Sequence, residues 1–117
     1  MKIGICIPYM KRGITRKTLL DWCRVIDEGP FDSLSCGERI TGYTYEMRAF
    51  LAAAAAVTER VRIIPSLYVL PMHNAVWAAK EIATLDVISE GRVTITVGVG
   101  GREDDYKAVG ASFKNRF

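Results

Sequence analysis

The chain has one histidine, His73, and three cysteines, Cys6, Cys23 and Cys36, with no Cys-x-x-Cys pair among them. One imidazole without clustered thiols or carboxylates cannot build a typical zinc or iron site, so no metal is expected. No nucleophile elbow and no Ser-His-Asp order occurs, which removes the common hydrolase arrangements. No run of five like charges occurs either. Sixteen basic and thirteen acidic residues interleave to a formal charge of +3, an ordinary mixed surface without the concentrated stripe of a nucleic-acid groove. The small basic cluster Lys11, Arg12, Arg16 and Lys17 reads as a solvated face beside a helix start. The longest apolar run, Ala49 to Val57, is too short to span a bilayer. With no signal peptide and an odd number of cysteines, the expectation is a cytoplasmic protein with reduced thiols, each a small buried hydrophobe.

Two phosphate-binding motifs are also missing. Gly98-Val-Gly100-Gly101-Arg-Glu103 has glutamate where the third glycine of a dinucleotide fingerprint belongs. It also lies too near the C-terminus for the acidic residue expected about 20 positions on. No GK[ST] of a P-loop follows.

What is present is an alternation of apolar strands and amphipathic helices. Lys2 to Tyr9 reads as a strand, Thr15 as the cap of a helix carrying Leu19, Trp22, Cys23 and Ile26 on one stripe, and Gly29-Pro30 as its end. Phe31 to Cys36 is a second strand. Thr44 opens a second helix through the alanine run 52–56, whose smooth surface lets a sheet approach. Val61 to Leu70 is a third, nearly continuous apolar strand, with Pro65 marking a bulge or edge. Asn74 caps a third helix, Ala75 to Ile88, and Val93 to Val99 is a fourth strand, with a short helix expected over 103–109. This βαβαβαβ(α) order predicts an α/β fold with a parallel sheet: a small doubly wound sheet, or half of a (β/α)8 barrel. Trp22 and Trp77 read as core, and Thr84-Leu85-Asp86 as a stitch between helix and sheet. In such folds ligands gather at the C-terminal ends of the strands, where the glycines after Val97 stand.

Several segments together resemble the bacterial-luciferase-like family of flavin-dependent monooxygenases and coenzyme F420-dependent oxidoreductases. They are Gly29-Pro-Phe-Asp-Ser33, Gly37-Glu-Arg39, Thr58-Glu-Arg-Val-Arg-Ile63, Leu70-Pro71, Ala78 to Arg92, Val97-Gly-Val-Gly100, and the tail Tyr106 to Gly110 with Phe113 and Arg116. The resemblance covers essentially the whole chain, and Thr-Leu-Asp-x-x-Ser-x-Gly-Arg is its distinctive piece. It implies a TIM barrel two to three times this length, so residues 1–117 are expected to be one domain, the N-terminal half with four strands. It implies FMN or coenzyme F420 over the strand ends and a small-molecule substrate. It further implies a partner that completes the barrel, either the missing C-terminal half or another copy in a dimer or other homo-oligomer. The alternative is a catalytically incomplete half-barrel fragment that self-associates and binds no cofactor tightly.

The resemblance also points to positions. A non-prolyl cis peptide is expected at Ser66-Leu67, supporting the ring, with Tyr68 and Leu70 lining the pocket. Glu38 and Arg39 end the second strand, where many relatives carry histidine at the position of Arg39. Arginine is no general base at neutral pH, but it can hold an anion or a developing charge. As a bland alternative, Glu38 and Arg39 form a surface pair. Glu103 matches the position of a proton donor in some relatives, or serves the first turn of a helix through the dipole. Gly98, Gly100 and Gly101 allow close cofactor approach or simply a tight turn. The expected set is therefore Glu103 and Arg39 for catalysis, and Glu38, Ser66, Leu67, Tyr68, Gly98, Gly100 and Gly101 for the cofactor. His73 reads as a loop residue contacting a carbonyl.

Overall fold

The structure, a computed structural model, describes all residues, 1–117. Three of its helices start where a side-chain oxygen takes up free amide groups. Thr15 Oγ1 accepts from the Thr18 amide at 3.1 Å and opens α1, Arg16–Glu28. The second helix, α2, spans Met47–Val57 and is capped by Glu46, whose carboxylate accepts from the Ala49 amide at 2.7 Å. Thr44, the expected start, instead donates its hydroxyl to the Arg39 carbonyl at 2.9 Å and closes the loop before the helix. Asn74 Oδ1 accepts from Val76 and Trp77 and opens α3, Ala75–Ile88. That helix ends in Glu90 and Gly91 with φ of 54° and 78°, a reversal that glycine makes at least cost. A last short helix, α4, covers Glu103–Ala108.

Three strands, β1 (Gly4–Cys6), β2 (Ser33–Cys36) and β3 (Arg62–Pro65), form a parallel sheet in sequential order. A second sheet pairs β4 (Tyr68–Val69) in parallel with β5 (Val97–Gly98). The expected four strands are thus five in two sheets. The long third strand is broken at Ser66–Leu67, whose peptide bond is cis, as the resemblance implies. Pro65, in register with Cys36, has no amide hydrogen. Ser66 N donates to Cys36 O at 2.8 Å, so that acceptor is still served. The fourth strand is shorter than its apolar run. Its backbone follows the third through Ile63 N to Arg92 O, Thr94 N to Ile63 O and Tyr68 N to Thr96 O, at 3.0, 3.0 and 2.8 Å. Only Val97–Gly98 forms a full ladder.

The core lies where α1 and α2 cover the three-stranded sheet. Leu34, Leu51, Ile63, Val61 and Cys23 are fully buried there, with Ala54 and Ala55 letting α2 approach closely. The N-terminal ends of the strands are tied down by two arginines. Arg60, just before β3, donates to the carbonyls of Asp27 and Gly29 at the end of α1, while Asp27 accepts from the Glu59, Arg60 and Val61 amides. Arg92, entering the fourth strand run, donates to Ala55, Thr58, Val61 and Ser89 carbonyls and to Thr58 Oγ1, at 2.7–3.0 Å. Each arginine satisfies the last carbonyls of a helix, which have no partner within that helix.

The outer faces are different. Trp22 and Val25 on α1, and Val76, Trp77 and Val87 on α3, are exposed, so the expectation that both tryptophans are core is corrected: Trp22 lines an open groove with Ile5 and Phe31, and Trp77 one with Pro65, Tyr68 and Ile95. Cys6 is likewise exposed, on the edge strand β1, while Cys23 and Cys36 are buried. A helix that leaves Val76, Trp77 and Val87 exposed offers an apolar surface to something further. Accessible surface is 7109 Å², against about 6,300 Å² for a typical folded chain of this mass. No helix is long and apolar enough to cross a membrane.

Candidate active site at the strand C-terminal ends

The C-terminal ends of the strands bring together residues 9, 37–45, 66–73 and 98–106. Glu38 lies just past β2 with its side chain 3% exposed. One carboxylate oxygen accepts from the Val69 amide at 2.6 Å, and the other meets His73 Nε2 at 2.7 Å. It therefore fastens β4 and the turn after it to β2. His73 packs edge-on against the Tyr68 ring at 4.7 Å. The surface-pair alternative fails for Glu38, because both its oxygens are engaged inside the protein.

Tyr68 is buried and donates its hydroxyl to Glu81 Oε2 at 2.7 Å, and Arg48 grips the same carboxylate at 2.9 and 3.0 Å. Burial and the adjacent Glu81 carboxylate both raise the Tyr68 pKa, so the phenol stays a neutral donor. For Glu81, burial opposes ionisation, but the hydrogen bonds from Tyr68 and Arg48 outweigh it and hold its pKa below the ordinary value. This network runs from the strand ends outward to the helices.

Arg39, half-buried at the end of β2, donates Nε to the Thr41 carbonyl at 3.1 Å. Ser66 and Leu67 are exposed, and the Leu67 side chain covers Gly98: a Cβ added there would come 2.8 Å from Leu67 Cδ1. At Gly100, φ is 64° and a Cβ would come 2.9 Å from Val69 Cγ1, so glycine is required there, whereas at Gly98 the exposed end of Leu67 has room to shift. Gly101 faces open space. Glu103 starts α4, is exposed, and pairs with Lys107 at 3.2 Å, the geometry of a first-turn carboxylate.

Asp105, two residues on, is the buried acid of this helix. It accepts from the Thr41 amide at 2.8 Å and from the Thr41 hydroxyl, and faces Arg102 at 3.5 Å. Burial works against its charge, but the Thr41 hydroxyl, the Thr41 and Ile40 amides and Arg102 prevail and depress its pKa. Asp105 and Tyr9 are site residues that sequence reasoning did not single out, and His73, expected to contact a carbonyl, instead meets the Glu38 carboxylate. Asp105 is hidden in an acidic triplet, and Glu38 and His73, 35 positions apart, share no local signal. Only the juxtaposition of consecutive parallel units brings them together.

Residues 1–117 match the family described as luciferase-like monooxygenase. An uncharacterized protein of Mycobacterium tuberculosis is 44% identical over 55 residues, 47% of this chain and 20% of that one. Monooxygenase RslO1 from Streptomyces bottropensis superposes with a TM-score of 0.84 at 27% identity, over 99% of this chain and 38% of its own. The oxygenating constituent of 3,6-diketocamphane monooxygenase from Pseudomonas putida, a type II Baeyer-Villiger enzyme in complex with FMN, gives 0.79 at 25% identity over 94% and 33%. The chain thus spans about a fifth to two fifths of these relatives. By sequence along its whole length and by the arrangement of its parallel strands, the chain belongs to the luciferase-like monooxygenase family.

Proposed function

We propose that this chain is one domain forming the N-terminal half of a luciferase-like TIM barrel, and that the completed barrel is an oxidoreductase or monooxygenase using reduced FMN or coenzyme F420. The observation that carries the proposal is the ledge at the strand ends. Leu67, exposed like Ser66 before it, lies across Gly98, and three residues beyond Gly98 the backbone of Gly101 faces open space. A flat apolar step bordered by a residue without a side chain suits an aromatic ring system. When bound, the ring supplies the redox chemistry: oxygen activation with FMN, hydride transfer with coenzyme F420. FMN is favoured by the ligand of the Pseudomonas putida relative; coenzyme F420 rests on the family resemblance.

The chain's own residues have supporting roles in this reading. Ser66, Leu67 and Gly101 carry the ring, while Gly98 and Gly100 allow the segments beneath it to close up. Glu38 and Tyr68 hold that ledge in place through Val69, His73 and Glu81. Arg39 faces the substrate side, and Glu103 is the proton donor, freed from Lys107 by a short rotation. Arg102, the arginine nearest the ledge in sequence, faces Asp105 and is not free to hold the phosphate of either cofactor.

The outward apolar faces of α1 and α3 favour a second reading, in which the isolated chain is an incomplete half that self-associates and binds no cofactor tightly. Light scattering with intact mass spectrometry, with and without FMN or coenzyme F420, separates the two. A discrete oligomer taking up one cofactor per completed mouth supports the enzyme. Oligomers that leave both cofactors free assign catalysis to a barrel completed by another polypeptide.

A further inference from the structure

The mouth contains hydrogen-bond donors that nothing in the chain uses. Arg39 spends only Nε, and its two Nη groups have no protein acceptor. The Tyr9 side chain enters from the end of β1, and its hydroxyl lies against Gly37, where a Cβ would collide with it. That hydroxyl also has no partner, and neither it nor the guanidinium of Arg39 is sealed from solvent. The two are close enough for the Arg39 charge to pull the Tyr9 pKa down, against the stronger upward effect of burial. From the next loop, Arg12 lies over the Tyr43 ring at 4.7 Å, and Tyr43 follows Gly42, on which the Arg39 guanidinium rests.

The carboxylates that could neutralise this corner are committed elsewhere. Glu38 is held by Val69 and His73, Glu46 by Ala49 and Arg48, and Asp105 by Thr41 and Arg102. Neither Arg12 nor Arg39 forms an ion pair anywhere in the chain. A half-buried guanidinium with free Nη groups is a preorganised fork for a two-oxygen anion. Adding the Tyr9 hydroxyl gives three donors, which suits a carboxylate better than a phosphate dianion with its larger need for donors. The exposed Tyr43 ring provides an apolar wall alongside.

We propose that Tyr9, Arg39 and Arg12 form a carboxylate-binding corner, and that the substrate of this site is a small organic acid. The proposal rests on the reading of this end of the sheet as the mouth of an oxidoreductase. Arg39 grips the carboxylate, Tyr9 donates to the same oxygens, Arg12 adds charge from the rim, and the rest of the substrate extends over Tyr43 toward Leu67.

The test is amide and Arg Nε NMR of the 15N-labelled chain, titrated separately with benzoate, benzyl alcohol and inorganic phosphate. Benzoate is expected to shift Gly37, Gly42, Tyr43 and Arg39 Nε saturably, with the other two probes at least about tenfold weaker, since one charge-assisted hydrogen bond supplies that much. Arg39→Met should weaken benzoate about tenfold or more, Arg39→Lys less, and Tyr9→Phe about threefold to tenfold. The two milder variants retain the test if Arg39→Met fails to fold. Absence of saturable benzoate shifts, or unchanged binding in Arg39→Met, overturns the proposal. Phosphate binding as tight as benzoate at these signals overturns it too, because the corner would then serve a cofactor phosphate. A parallel FMN titration keeps the two readings apart. Flavin uptake without benzoate binding removes only the organic acid, while benzoate binding without flavin uptake removes only the cofactor.

Discussion

The two ends of the parallel strands use arginine in opposite ways. At the N-terminal ends, Arg60 and Arg92 are surrounded by helix-terminal carbonyls. At the C-terminal ends, Arg39 makes one hydrogen bond and has none to a carboxylate. The lower end holds neighbouring β/α units together, and the upper end keeps donors free for something outside the chain. This division of labour is general in barrel enzymes, where stability and chemistry occupy opposite faces, and here it is visible in a chain spanning about a fifth to two fifths of its relatives.

The comparison breaks most sharply at Arg92. Arg92→Met removes five hydrogen bonds and should cost about 3 kcal/mol or more, since charged donors contribute about 1.5–3 kcal/mol each and not additively. A loss below about 1 kcal/mol in urea unfolding would mean the lower end is not the anchor. Glu38→Gln should cost about 1–2 kcal/mol, because the Glu38 carboxylate accepts from the β4 backbone at Val69 and meets His73. An unchanged midpoint would remove it from the scaffold.

Acid should loosen both ends. Burial opposes the charge of Asp27, but the Glu59, Val61 and Arg60 amides and the Arg60 guanidinium overcome it and keep its pKa low; Asp105 and Glu81 are depressed as well. A depressed folded pKa contributes stability that is present above the unfolded value, near about 4, and is lost as pH falls through the folded one. Stability should therefore be level near neutrality and fall below about pH 4, with a shallower fall in Asp27→Asn. An equally steep fall in that variant would clear Asp27. Thiol alkylation gives a subtler check. Burial pushes Cys23 up to about 11 and Cys36 up to about 12, whereas Cys6 is exposed. Iodoacetamide at pH 8 should add one adduct quickly, and a rapid second adduct would show the strands opening. The smallest effect belongs to Arg39→Met, expected within about 0.5 kcal/mol of the parent in stability. A larger loss would make Arg39 structural like its two counterparts.

Local chemistry was legible in the sequence, and contacts between units were not. Thr15 and Asn74 cap the helices where they were expected to, and α3 spans its expected range, because a cap and an apolar pattern act within a few residues. Pro65 marked an irregularity in the third strand, and the resemblance placed the break itself at Ser66–Leu67. Trp22 and Trp77 misled because helical spacing identifies an apolar face without saying what covers it. Likewise, the triplet Glu103-Asp104-Asp105 cannot reveal that its third member is the buried one, since Thr41, its partner, lies 64 residues earlier.

The two lower-end arginines also impose an order on assembly. Arg60 closes α1 only once the chain has reached the third strand, and Arg92 closes α2 only once it has reached the fourth. Each latch engages helices already made and requires nothing downstream. As the polypeptide leaves the ribosome N-terminus first, at roughly 5–20 residues per second, each unit can be locked within seconds of the next one's arrival. The structure is thus suited to construction in one direction, from β1 toward β5.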